Sequence, residues 1–237
     1  MKHHDYAFRV NPKRSLFILL LLNFLLSYYA IAEQIDGADE WDEWMEEDLE
    51  EKALQVNEGR LNFLASPPSQ TKVHALSNTI TITQGSLETH WVDFRQCHKN
   101  LDRVTQSQVV YQYKQMRNLK IEFFRGIKKA WVEGQSIQLQ DVMDDAEICI
   151  LAQVKTLIPQ GDKLFLLRNG PYFRKFLDGY YPFHVQLLIK YPQTLLNIKK
   201  ILPQTQAGFT IKPSHNELRI DAWFEGELTI EIYFTTQ

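Results

Sequence analysis

Two cysteines, Cys97 and Cys149, are the whole thiol complement of this chain of 237 residues. So few, so far apart, lack the paired short spacings of a zinc module, and even Cys97-His98 with His90 makes a poor ligand set. The same spacing excludes a Cys-x-x-Cys redox pair and a haem attachment site. Also missing are a Gly-x-Ser-x-Gly elbow, a His-Glu-x-x-His pair and a glycine loop for phosphates, which removes the usual signatures of serine hydrolases, zinc proteases and nucleotide binders. No stretch of the body has a long amphipathic helical period, so a helical bundle is excluded. The formal net charge is −3, which argues against a nucleic-acid partner. No catalytic residue, metal ligand or cofactor is assigned.

What is present is unevenly distributed. Hydrophobic residues make up 44% and aromatics 12%, enough for the core of one large domain or two small ones. Charge is segregated: residues 1–32 carry +3, residues 33–60 carry −10 and residues 61–237 carry +4. Lys13-Arg14 precede an apolar run from Leu16 to Leu26, and Ala30-Ile31-Ala32 follow. A positive n-region, an apolar h-region and small residues at the peptidase positions predict a signal peptide over 1–32, cleaved after Ala32. The protein then meets the membrane only during export, unless the stretch from Ser15 is kept as an anchor, since it approaches the ~18–20 residues that span a bilayer.

Residues 33–70 read as an acidic amphipathic helix and a linker. Trp41, Trp44, Met45, Leu49 and Ala53 share one helical stripe. About four turns carrying so many like charges are marginal in isolation, so the helix either packs on its own body, frays, or docks Trp41 and Trp44 on another envelope protein. Asn57-Glu58-Gly59 and Pro67-Pro68 end the pattern, and the folded region begins near Thr71.

From there β-branched and aromatic runs alternate with turn residues. Strands are predicted near Val73–Thr83, His90–His98, Val109–Tyr113, Leu119–Phe124, Ala130–Glu133, Ser136–Leu139, Glu147–Leu157, Lys163–Arg168, His184–Tyr191, Leu195–Ile201, Phe209–Lys212, Glu217–Phe224 and Glu227–Thr235. Gly134 and Gly226 mark hairpins. In the last strand Leu228, Ile230, Ile232 and Phe234 share one face and polar residues the other, the mark of an antiparallel sheet wet on one side. The reading is an all-β, antiparallel β-sandwich type of protein with two packed β subdomains, 71–168 and 184–237, joined by an aromatic and basic crossover loop at 169–183.

Cys97 and Cys149 both fall in predicted strands, and export permits their oxidation, so a disulfide is the leading assignment over two buried thiols. Asp141, Asp144, Asp145 and Glu147 cluster; a pair of such carboxylates is what a hydrolase would use as acid and base, whereas Asp144-Asp145 in a turn would simply face solvent. The crossover loop is the richer stretch. Arg168, Tyr172, Arg174, Lys175, Tyr180 and Tyr181 combine cations with aromatic faces, suited to an anion or a flat surface. The competing role for its aromatics is to plug the junction of the two halves, with Arg174 and Lys175 reaching outward.

Three stretches, Val56–Leu64, Cys97–Asp102 and Arg168–Pro182, resemble segments of a family of uncharacterised exported proteins of proteobacteria, and the likeness runs from about residue 53 to the end. The resemblance implies a Gram-negative periplasmic location and supplies no activity, cofactor or catalytic residue. The expected role is non-enzymatic: binding another envelope protein or an anionic envelope component, or assisting envelope assembly, in the periplasm or secreted. The alternative is an envelope hydrolase built on Asp144, Asp145 or Glu147.

Overall fold

A computed structural model describes residues 59–65, 72–176 and 179–237. The predicted signal peptide, the acidic helix with Trp41 and Trp44, and the Pro67-Pro68 linker lie outside these residues. Within them the chain is all β, with one short helix, α1 (Gln84–Thr89). Six residues are too few for a helical period to register in the sequence. Ser86 accepts at its side chain from the Thr83 amide (3.0 Å), and His90, in the left-handed region, closes the turn onto the Ser86 carbonyl (2.8 Å).

Two sheets face each other. The larger is ordered β1 (Asn62–Phe63), β14 (Glu217–Glu225), β11 (Phe183–Lys190), β2 (Ala75–Thr81), β3 (Trp91–Leu101), β6 (Ser136–Lys155) and β4 (Val104–Val110). β13 (Phe209–Ser214) also pairs with β14, and β5 (Met116–Glu133) with β6. The smaller is β12 (Leu196–Leu202), β15 (Leu228–Thr236), β8 (Leu164–Tyr172) and β7 (Leu157–Pro159). A small hairpin, β9 (Lys175–Phe176) with β10 (Gly179–Tyr180), sits in the crossover. All the strand pairs are antiparallel except β2 with β11, which run parallel from Ala75↔His184 to Thr81↔Lys190.

The two-subdomain division expected at 169–183 is corrected. β11 and β14 lie in the same sheet as β2 and β3, and β15 and β12 in the same sheet as β8 and β7. Both halves of the chain therefore build both layers, and residues 169–183 cross within one body. Physically, the strands after the loop bury their apolar faces (Val185, Leu187 and Ile189; Leu218, Ile220 and Ala222) in one core shared with the earlier strands, and β11 pairs along its length with β2.

Alternation sets the inner faces. Leu228, Ile230, Ile232 and Phe234 are buried on β15 while their neighbours are partly exposed, as expected for a strand with one face in the core. Phe234 meets Tyr191, just past β11, at 5.3 Å between ring centroids. Truncating Phe234 to Ala would cost about 3–5 kcal/mol through lost burial and the void left behind.

β5 and β6 are 18 and 20 residues long and joined at Gly134. The sequence divides each into two strands, and takes Asp144-Asp145 for a turn, because the alternation fails at 125–129 and 140–146. The chain instead stays in the ladder through bulges. The register shifts between Arg125 and Ile127, and Asp141 and Asp145 take positive φ. Gly126 is required there: a Cβ would stand 3.1 Å from the Ala146 Cα, at a φ of +69°.

Cys97 and Cys149 are directly opposed on β3 and β6, bonded and buried. Closing that loop is worth about 4 kcal/mol in the chain-entropy account. The bridge marks an oxidising, extracytoplasmic environment.

Candidate functional site

The inner faces of β2 and β3 break the apolar rule in one row. Cross-strand partners share a face, so the pairs Leu76↔His98, Asn78↔Gln96 and Ile80↔Phe94 all point inward. Asn78, Gln96 and His98 are buried there. Buried polar groups must be bonded, and this row is bonded in two networks. In the first, His74 Nε2 lies 3.0 Å from His98 Nδ1, and His98 Nε2 lies 2.9 Å from Gln96 Oε1. Gln96 Oε1 can only accept, so His98 carries its proton on Nε2 and accepts at Nδ1 from His74 Nε2–H. Both rings are neutral: burial, then the Arg174 charge, pushes His74 down to about 4, and burial, then His74, holds His98 well below the usual range.

The second network crosses the sandwich. Asn78 Nδ2 donates to Asn169 Oδ1 (3.4 Å) and to the Tyr172 hydroxyl, both on β8, while Asn169 Nδ2 donates to the Tyr113 hydroxyl (2.8 Å). Burial raises the pKa of Tyr113 and Tyr172, so both stay neutral phenols. Tyr111, from the same segment as Tyr113, is buried too, and its hydroxyl has no hydrogen-bond partner among the described residues.

A cleft of about 590 Å3 opens beside these networks. β4 and residues 111–113 form one wall, residues 170–175 another, and His74, Leu76, Gln96 and His98 line its depth. Gly170 gives residues 170–175 their course: it holds φ +107°, and a Cβ there would meet the Leu228 carbonyl oxygen at 2.6 Å. The Asp102 carboxylate accepts from Arg174 Nη2 at 2.7 Å, tying the β3–β4 junction to the crossover. The Arg174 side chain is only 17% exposed, so it packs into the structure rather than reaching outward.

The six sequence-selected loop residues separate. Tyr172, Arg174 and Lys175 line the cleft. Arg168 instead pairs with Glu231 at 3.7 Å on the smaller sheet. Tyr180 donates to Glu227 (2.7 Å), which raises its pKa, and lies under Lys175 Nζ at 5.1 Å. Tyr181 lies under the Arg174 guanidinium at 5.5 Å. These three are outside the cleft lining, and Tyr180 and Tyr181 brace the segment that presents Arg174 and Lys175.

The acidic cluster is a surface ion-pair set. Asp141 meets Lys128 (3.1 Å), Asp144 meets Arg103 (3.8 Å), Asp145 meets Lys72, and Glu147 meets Lys99 (3.5 Å) and Arg125 (3.1 Å). Among the described residues the grouping of metal-ligating types is Cys97, Glu122 and Cys149, and its sulfurs are spent in the disulfide. The residues that sequence reasoning missed are His74, Asn78, Gln96, His98, Asp102, Tyr111, Tyr113 and Asn169. Asn78, Gln96 and His98 had a signal: each interrupts the apolar face of an alternating strand.

Comparison with protein-family models, with curated proteins and with solved structures finds no match.

Proposed function

We propose that this chain is an exported, periplasmic binding protein whose cleft captures an anionic component of the envelope without transforming it. The observation that carries this is a largely apolar cleft of about 590 Å3 whose charged lining, Arg174 and Lys175 against Asp102, has a net charge of +1 with both histidines neutral. Concave, apolar sites with a few placed polar groups are where small molecules bind. The leader read in 1–32, the oxidised cysteines and the resemblance to exported proteobacterial proteins support the location. Against hydrolysis stand the carboxylates, each facing a cation, and His98, which spends both ring nitrogens on hydrogen bonds. Trp41 and Trp44 remain the second contact element, for a protein partner.

Native mass spectrometry of the mature protein after incubation with envelope extract tests the reading. Wild type should retain an anionic small molecule, and Lys175→Glu and the Arg174→Glu/Lys175→Glu pair should lose it at least tenfold while keeping their circular dichroism. Equal retention by wild type and the folded Lys175→Glu variant would overturn the proposal.

A further inference from the structure

We infer that the ligand of this cleft is a single-chain amphiphile, an unbranched acyl or alkyl chain with an anionic headgroup. The inference rests on the binding reading above and names its ligand class. The lining combines a run of aliphatic side chains with two cations. Leu101, Val104, Val109, Leu139 and Val142 give the cleft aliphatic side chains from β3, β4 and β6, among which Ser107 and Gln108 of β4 and the hydrogen-bonded Gln96 and His98 of β3 are the polar interruptions. Arg174 and Lys175 come from the opposite wall. The apolar surface continues outward, because two further lining residues, Val110 and Phe173, are 55% and 36% exposed.

A small hydrophilic anion would satisfy the cations and leave the aliphatic wall wetted. A neutral hydrocarbon would cover that wall and gain nothing from a net positive lining. Only a molecule with both parts uses both walls, with its headgroup at Lys175 and its chain along β4 and β6. The headgroup is a carboxylate, as in a free fatty acid, or a phosphate monoester, as in a lipid fragment; both offer an anion to the same cations.

Titrations of the mature protein with octanoate, decanoate and dodecanoate, each below its critical micelle concentration, test the inference, read by calorimetry and by methyl NMR of the cleft valines and leucines. Affinity should rise about fourfold per methylene, the yield of burying one such group. Dodecyl phosphate should bind within tenfold of dodecanoate if either source serves, and a larger gap in either direction names the source. Dodecyl maltoside, the neutral control, should bind at least tenfold more weakly, and Lys175→Glu should remove most of that difference. Affinity independent of chain length, with methyl shifts still in the cleft, would overturn the amphiphile and leave the binding protein standing. Maltoside binding as tight as dodecanoate would overturn the anionic headgroup. No methyl shift with any probe would overturn the inference, and the extract experiment would then decide the broader reading separately.

Discussion

Two polar clusters, one on β6 and one spanning β2, β3 and β8, differ in the dielectric around them. On the outside, Asp141, Asp144 and Asp145 pair with lysines and arginines at exposed positions, and the more buried Glu147 pairs with Lys99 and Arg125. On the inside, His74, His98, Gln96, Asn78, Asn169 and Tyr113 are bonded to one another within the sandwich. The outer cluster has the residues of acid–base chemistry, each held in an ion pair. The inner cluster has unremarkable residues, and burial makes each hydrogen bond consequential. Residue type proposes chemistry, and environment decides it.

The comparison is broken most directly at Asn169. Asn169→Ala should cost about 3 kcal/mol, because it leaves the Tyr113 hydroxyl and the Asn78 amide poorly partnered across the sandwich and opens a void; urea unfolding should show a lower midpoint. A normal midpoint would mean the network contributes nothing.

The next effect is a pH dependence of the inner cluster. The folded pKa of His74 is lowered to about 4 from 6.5, so between these values the unfolded chain binds more protons than the folded one. No penalty exists above pH 6.5, and stability should fall by up to about 1.4 kcal/mol per pH unit as pH drops from there toward 4. His98 is shifted in the same direction and adds to the slope. Denaturant titrations at several pH values check this, and His74→Gln should remove its share of the slope.

Smaller again is Glu147→Gln, which should cost about 1 kcal/mol, since Glu147 serves two cations and its side chain is only 12% exposed. Asp144→Asn should change stability by less than about 0.5 kcal/mol, because that side chain is 75% exposed and its partner is equally open to solvent. If Asp144→Asn proved as costly as Asn169→Ala, the contrast between the two clusters would be wrong.

The sequence located the strand cores from Ala75 to Thr81, Trp91 to His98 and throughout 183–236 to within a few residues, because alternation is a local consequence of having one wet face. It divided β5 and β6 where bulges at Gly126, Asp141 and Asp145 interrupt that alternation. A residue at positive φ looks like a turn in sequence whether the chain reverses or merely bends. Half of the loop residues chosen for binding reach the cleft, and for Arg168 the reason it does not is equally local: it lies on the opposite face of β8 from Asn169, one residue away.

An all-β body, a candidate cysteine pair and a cation-rich crossover were legible in residue order, since composition, alternation and turn chemistry act between near neighbours. That both halves of the chain share both sheets, that Asp102 meets Arg174, and that Asn78 reaches Asn169 across 91 positions emerged with the assembled fold. Such contacts are chosen by which faces can be buried together, and that is a property of the assembled layers rather than of any segment.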